Sequence, residues 1–573
     1  MSRIIATGKQ SFLNLRENNC FYVDKTKFIR DWWNGLDDVT LITRPRRFGK
    51  TLMLDTVNTF FSLEFAGRSD LFQGLEVWSD KKIQNLQGKI HVIFLSFARF
   101  NDSSYEGIVS RIKAALASIY GLFTPLIDQE AIPEAEKTLF TSVNEFMSDE
   151  KAKDSLHYLC KFITIQYNIK PIILLDEYDT PLQAAWQNKY WEELANFMRG
   201  FFNATFKDNQ WLERGLITGI SRVAKESIFS DMNNLKVVSI TSNLYSDCFG
   251  FTEKEVYAAM DEYGMKNKAE VKCWYDGFTF GNQHEIYNPW SIINFLATKE
   301  LDTYWADTSS NRLVSDILAH SDAGVKKQAE TLLNGKSILV KLDEQIEFNN
   351  LYTKKGAIWS LLMAAGYLKP LSVNRLEKEY ELDITNFETN LILQNKIYEW
   401  FDGLNSDDDD NFIKALLDNN LDLMNELMSE ITEGTFSYFD TNRKIKNERT
   451  EAESFYHGFV LGLLINLKKR YGIISNHESG FGRYDICMYP KKDTDPGIVI
   501  EFKSISQSKE HNLKETCNNA LKQIKERDYI KDLILHGVAK NNIYVYGFAF
   551  QGKKVLICGG AEEMLDCNSI LNL

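Results

Sequence analysis

The chain is short of several things, and each shortage excludes something. Only 9 of its 573 residues are proline, and it has no low-complexity tail and no repeat at a fixed period, so proline-rich, solenoid and wholly disordered architectures are excluded. No uninterrupted apolar run approaches the roughly 20 residues that a bilayer-spanning helix needs, and MSRIIATGKQ is too polar for a secretory signal. No membrane partner and a cytoplasmic location are therefore expected. The 8 cysteines form no Cys-x-x-Cys pair and no Cys/His cluster, which argues against a disulfide framework or a structural zinc and for free buried thiols. Excess positive charge is also missing. With 66 Lys+Arg against 79 Asp+Glu the net charge is −13, so a nucleic-acid partner has to be held by a local patch.

What is present is a globular composition, 44% hydrophobic and 25% charged, long enough for several domains. Residues 446–573 carry 18 basic and 16 acidic side chains, a balance of +2 that leaves −15 on residues 1–445. The C-terminal part is thus the less repulsive one for phosphates. Within 1–245, five β-rich runs alternate with helical patterns: VTLIT (39–43), HVIFLSF (91–97), PIILLD (171–176), GLITGI (215–220) and KVVSI (236–240). That alternation predicts a parallel α/β sheet. Residues 246–445 read as mostly helical, beginning with a capping box from Thr252 to Glu255 in a helix that Gly264 ends. The acidic run Asp407–Asp410 is expected to be a solvated loop. Residues 446–573 form a separate small α/β pattern: a helix (451–470), a strand pair (482–503), a long helix (509–532) and a second strand pair (542–558).

Two places carry chemistry. The string TRPRRFGKTLML follows VTLI, so Gly49, Lys50 and Thr51 sit where a strand turns into a helix, a geometry that presents N–H groups to phosphates. Lys50 is the expected ligand of the β/γ-phosphates and Thr51 of Mg²⁺, with Arg46, Arg47 and Phe48 completing the nucleotide loop. Arg44 stands where a phosphate loop has its first glycine. A second triplet, Gly335-Lys336-Ser337, runs from helix to strand, the wrong order, and reads as a helix C-cap. The first triplet gains support from PIILLDEYD, a buried strand ending in Asp176, an expected Mg²⁺ ligand, and Glu177, which can orient or deprotonate the attacking water. GLITGISRV ends in Ser221 and Arg222 beside the same sheet edge, with Arg222 a candidate γ-phosphate sensor. The aromatic-rich stretch 274–296, with Asn288 as N-cap and Pro289 at the first helical position, is expected to anchor a helical subdomain to its neighbour.

The second place is 478–504, two apolar strands joined by KKDTDPG. If the turn centres on Asp493, antiparallel partners sum to 986, which sets Asp485 opposite Glu501, with Lys503 on the same face. Two facing acids with a lysine alongside suit Mg²⁺ or Mn²⁺ and metal-assisted phosphodiester hydrolysis. Glu453 on the preceding helix is a weaker candidate for the same metal, and Gln523 on the following helix for water or phosphate.

Through FYVDKT (21–26), RPRRFGKTL (44–52), DEYDTPL (176–182) and GISRV (219–223), the chain resembles bacterial AAA-ATPase-like proteins of the P-loop superfamily, in which an arginine in place of that glycine looks typical. The resemblance implies that FYVDKT packs near the nucleotide base, with Asp24 and Lys25 as contacts. Over about 450–555, the order Glu453, Asp485, Glu501-x-Lys503, Gln523 resembles the PD-(D/E)XK nuclease superfamily. Gly482 and Arg483 fit the variant fused to AAA-ATPase-like domains. Together these imply an α/β chain in three parts: a P-loop domain (1–245), a helical lid and connecting region (246–445), and a restriction-endonuclease-like domain (446–573). The implied function is an ATPase, with ATP and Mg²⁺ as cofactors, joined to a metal-dependent nuclease acting on DNA or RNA, with an oligomer left open. The alternative is a nucleotide-operated switch whose C-terminal domain binds without cleaving.

Overall fold

The computed structural model describes residues 3–126, 132–305 apart from 224–227 and 230, 335–346, 356–393, 406–435, 470–505 apart from 480, 481 and 493, and 512–562 apart from 528, 552 and 553, with single positions between 325 and 332 and between 460 and 467. It forms two compact units, one of Met1–Ile317 with Ser337–Ile392, the other of Leu318–Lys336 with Leu393–Leu573.

The first unit is built on the five foreseen runs: β1 (Val39–Thr43), β2 (Val92–Ser96), β3 (Ile172–Asp176), β4 (Arg214–Gly219) and, after the short β5 (Arg222–Val223), β6 (Leu235–Val238). They pair in the order β2-β3-β4-β1-β6, every pair parallel. Their apolar content follows that order. The three central strands are buried along their whole length, whereas edge strands β2 and β6 are only partly covered. The chain leaves β1 for the far edge and then returns strand by strand, so β4 comes to lie between β1 and β3. Their carboxyl ends meet where open α/β sheets bind ligands.

A smaller sheet of β7 (Phe251–Thr252), β8 (Phe278–Phe280) and β9 (Gln283–Tyr287) packs with the helices Glu253–Glu262 and Pro289–Thr298 around Phe21, Met260, Tyr275 and Phe295. The Thr252–Glu255 capping box and the Asn288 N-cap both form. The middle region also contains β10 (Ile338–Lys341), β12 (Leu368–Asn374) and β13 (Glu379–Ile384) in one antiparallel sheet, and β11 (Gln345–Ile346) beside β5. Gly335, at φ 70, ends a helix: its N–H bonds the Leu332 carbonyl and that of Lys336 bonds the Thr331 carbonyl, so the second Gly-Lys-Ser is a C-cap and not a phosphate loop.

The second unit is a mixed sheet of β14 (Tyr471–Ser479), β15 (Gly482–Pro490), β16 (Gly497–Ser504), β17 (Ile543–Gln551) and β18 (Lys554–Ala561) in that order, parallel only at β16–β17. The helices Leu513–Glu526 and Ile530–Leu535 cover one face through Ile524, Leu533, Val499 and Val545. Phe412, Leu416, Met424 and Met428, from Ser406–Leu417 and Leu421–Thr435, cover the other against Ile500, Phe502 and Phe548. Two expectations change and one strand is new, while most of the helix expected over 451–470 lies outside the described residues. Asp407–Asp410 do not form a loop but open the helix Ser406–Leu417, where the macrodipole favours acids. The long helix over 509–532 is two helices, broken at Arg527. β14 was not foreseen, because Ser475 to Glu478 interrupt its apolar run.

Gly219 ends β4 with no room for a side chain: a Cβ there would lie 2.6 Å from the Tyr178 ring and 2.8 Å from Asp179 Oδ1. Gly219→Ala should therefore cost about 1–3 kcal/mol in chemical denaturation. An unchanged midpoint would show that the Tyr178–Asp179 turn yields freely.

Candidate functional site

β1 ends at Thr43, and the loop that follows turns on two left-handed residues, Arg47 (φ 66) and Gly49 (φ 80), before the helix Lys50–Phe61 begins. Lys50 is buried and donates to the carbonyl oxygens of Arg44 (2.9 Å) and Pro45 (2.8 Å). Burial pulls its ammonium down to about 8 against the opposing pull of Glu177, Asp179 and Asp176. Thr51 donates its hydroxyl to Asp176 Oδ2 at 2.8 Å, and Thr218 donates to Oδ1 at 2.6 Å. The fully buried Asp176 carboxylate is thus held by one hydroxyl from the loop helix and one from β4.

Arg44 is equally buried, but it faces away from the chemistry. Its Nη1 donates to the carbonyls of Thr43 (2.8 Å), Val238 (3.3 Å) and Ser239 (2.8 Å), and its guanidinium lies 4.6 Å from the Phe280 ring centre. The arginine that replaces a glycine is therefore a brace between the ends of β1 and β6. Arg46 is half-buried, and burial lowers its pKa while Asp179 and Glu177 oppose the shift. Arg47 stacks 4.3 Å over Trp290. Phe48 packs on Phe278 and Phe280, at 4.8 and 5.3 Å between ring centres, and Asn288 donates to the Arg46 carbonyl at 3.2 Å. The stretch 274–296 thereby anchors the phosphate loop.

These groups border a cleft of about 610 Å³, within the range of small-ligand sites. Arg46, Arg47, Gly49, Lys50, Thr51 and Glu177 line it. So do Lys9, Gln10, Gln183 and Trp290, none of which is expected from the sequence as a site residue. Glu177, in a left-handed conformation (φ 51), accepts from Thr180 Oγ1 at 3.2 Å, and burial raises its pKa. Asp179 Oδ2 accepts from the N–H groups of Ile220 (3.1 Å) and Ser221 (2.9 Å), fixing the corner from which Arg222 leaves β4; the Arg222 side chain lies outside the described residues. In FYVDKT, Asp24 accepts from Thr26 and from the Glu76 N–H, and Lys25 bonds Glu255 at 2.7 Å, so both are engaged within the fold. Tyr22 and Lys25 also line a smaller pocket of about 90 Å³ that shares Gly49 and Leu52 with the cleft.

In the second unit the β15–β16 ladder pairs Ile486 with Ile500, Cys487 with Val499 and Met488 with Ile498, the expected sum of 986. Asp485 Oδ2 accepts from the Phe502 N–H at 2.8 Å, which places it beside Glu501. Glu501 is buried, 3% exposed; Gln523 donates to it and in turn accepts from Lys503 Nζ at 2.7 Å. The structure thus gathers Asp485, Glu501, Lys503 and Gln523, while Glu453 lies outside the described residues. Another acidic grouping, Glu253, Asp276 and Glu285, holds Lys272, 2.6 Å from both glutamates.

A parallel sheet whose first strand enters a helix through Gly-Lys-Thr, with a buried aspartate two strands away answering the threonine, defines a P-loop nucleotide-binding fold. Residues 6–229 match the family model described as a predicted AAA-ATPase, and residues 451–559 match that of the PD-(D/E)XK nuclease superfamily. The chain therefore carries, in order, a match to an AAA-ATPase-like model and a match to a nuclease-superfamily model. Over 393 residues it is 26% identical to the "Uncharacterized protein in vnfD 5'region" of Azotobacter chroococcum mcd 1, covering 66% of this chain and 67% of that one. Among solved structures, the ORC2 protein of Aeropyrum pernix aligns over 65% of this chain and 92% of that chain, at 11% identity and a TM-score of 0.22. Among the described residues no helix is long and apolar enough to cross a membrane.

Two stability effects follow. Thr218→Val leaves a buried oxygen of Asp176 without its donor and should cost about 1–3 kcal/mol, read as a lower urea midpoint. Glu177→Gln should act oppositely. Burial raises the folded-state pKa of Glu177, so its charged form destabilises the nucleotide-free fold above that pKa, and the variant gains stability there. The gain should shrink as pH falls and the carboxyl protonates in the wild type. Thermal midpoints of both proteins along a pH series from neutral into the acid range test the sign.

Proposed function

We propose that the protein binds ATP with Mg²⁺ at the phosphate loop and hydrolyses it, and that its C-terminal domain cleaves DNA or RNA with Mg²⁺ or Mn²⁺, in a bacterial cytoplasm. The observation that carries the nucleotide half is the Thr51–Asp176 bond at the head of the loop helix, since hydroxyl and carboxylate are the hard oxygen donors such a cation takes. When bound, Mg²⁺ neutralises charge on the β/γ-phosphates. Lys50 exchanges its two loop carbonyls for phosphate oxygens. Glu177 leaves Thr180 to orient the attacking water, and Arg222 meets the γ-phosphate from the end of β4.

At the second centre, Asp485 and Glu501 supply the same class of oxygen donor from adjacent strands, and the resemblance adds Glu453. A metal held by these acids would polarise the phosphodiester and its attacking water. Lys503 supplies positive charge beside the scissile phosphate, and Gln523 keeps Lys503 and Glu501 in register.

Lys50→Ala should weaken MgATP binding at least about tenfold, whereas Glu177→Gln should keep binding and lose about a hundredfold or more in turnover. Normal turnover in both would remove the site. Asp485→Ala, Glu501→Ala and Lys503→Ala should each abolish metal-dependent cleavage of labelled DNA and RNA while ATP turnover persists. Cleavage surviving in purified Glu501→Ala protein would place the activity elsewhere.

A further inference from the structure

The sheet of the second unit brings together two cysteines that the cleavage chemistry does not use. Across β16, β17 and β18 the register sets Glu501 beside Gly547 and Gly547 beside Cys558. Laterally paired positions point to one face, and here it is the face covered by the helix Leu513–Glu526. A Cβ on Gly547 would lie 2.8 Å from the Cys517 carbonyl oxygen and 3.0 Å from Ala520 Cβ. Because Gly547 has no side chain, the helix descends onto β17, and Cys517 reaches toward β18. Its Sγ lies 2.9 Å from the Gly547 carbonyl oxygen and 3.4 Å from that of Leu556, two residues before Cys558. Both thiols are free; Cys517 is buried and Cys558 half-buried.

We propose that Cys517 and Cys558 form a reversible disulfide, a staple between β18 and the helix that carries Gln523, closed by a hydroperoxide and opened by a dithiol. The chemistry at the pair suits this. The hydrogen bond from Cys517, and after it the nearby charge of Lys514, hold the Cys558 thiol below its ordinary range, and the same contact together with burial holds Cys517 above its own. Cys517 is buried and keeps its proton on backbone carbonyls, whereas Cys558 is the more exposed of the two, so Cys558 is the attacking sulfur. Its thiolate takes the terminal peroxide oxygen, the O–O bond breaks and the alkoxide leaves as an alcohol with a proton. The Cys517 thiol then attacks the sulfenic sulfur, the S–S bond forms, the S–O bond breaks, and hydroxide leaves with the Cys517 proton as water. Two thiols lose two electrons in all and one peroxide gains them. The staple depends on the helix, the strand and the glycine between them, whatever chemistry Asp485 and Glu501 perform.

The test uses the full chain, reduced, exposed to a small excess of hydrogen peroxide, alkylated and digested without reductant. The expected product is a peptide pair joining Cys517 to Cys558 that dithiothreitol removes. In the linked protein the backbone amides of Leu513–Glu526 should exchange at least about tenfold more slowly. Cys517→Ser should strand Cys558 as a sulfenic acid that dimedone traps, and Cys558→Ser should leave Cys517 unmodified. No linkage in the wild type, or Cys558 joined to another cysteine such as Cys567, overturns the pairing. Linkage with unchanged amide exchange overturns the staple.

Discussion

The carboxylate of Asp176 lies at the end of a fully buried strand, where an unpaired charge would cost several kcal/mol. It persists because Thr51 and Thr218 each give it a hydroxyl, with the charge of Lys50 nearby. Those donors come from the loop helix and from β4, and the strand order sets β4 between β1 and β3. Thr51 therefore answers Asp176 across the end of an intervening strand. Loop, acid and β4 corner can hold their places only together, and the shape of the cleft depends on that three-way bond.

The loop is supported from behind as well. An arginine where glycine is usual removes conformational freedom and adds a side chain, and the fold uses both consequences. Arg44 gathers carbonyls from the ends of β1 and β6, Phe48 sits among Phe278 and Phe280, and Asn288 holds the Arg46 carbonyl. The left-handed turns at Arg47 and Gly49 are thus imposed by neighbours, leaving the cleft face to Arg46, Arg47 and Lys50.

In the second unit, strand alternation does comparable work. Odd-numbered residues of β15 and β16 face the helix Leu513–Glu526, so Glu501 and Lys503 meet Gln523 there with Asp485 beside Glu501, while Ile486, Ile500 and Phe502 fill the opposite core. The close approach at Gly547 lets one helix both support the acids and bring Cys517 to β18.

Local order alone determined much of this. The β-branched runs became the five parallel strands, the strand-to-helix step separated Gly49-Lys50-Thr51 from Gly335-Lys336-Ser337, and the hairpin register in which partners sum to 986 set the ladder that brings Asp485 to Glu501. Such features depend on period and spacing, which neighbouring residues carry by themselves. Tertiary structure decided the rest: Arg44 as a brace and not a loop residue, Phe48 in an aromatic cluster, Lys9 and Gln183 on the cleft wall, and the Asp407–Asp410 run inside a helix. Each of the first three depends on which distant groups lie within a few ångströms. That distance is set by the packing of the whole unit and leaves no mark on the spacing of the residues concerned. The helix that contains the acidic run is held by the burial of Phe412 and Leu416 against the sheet, which the run itself does not announce.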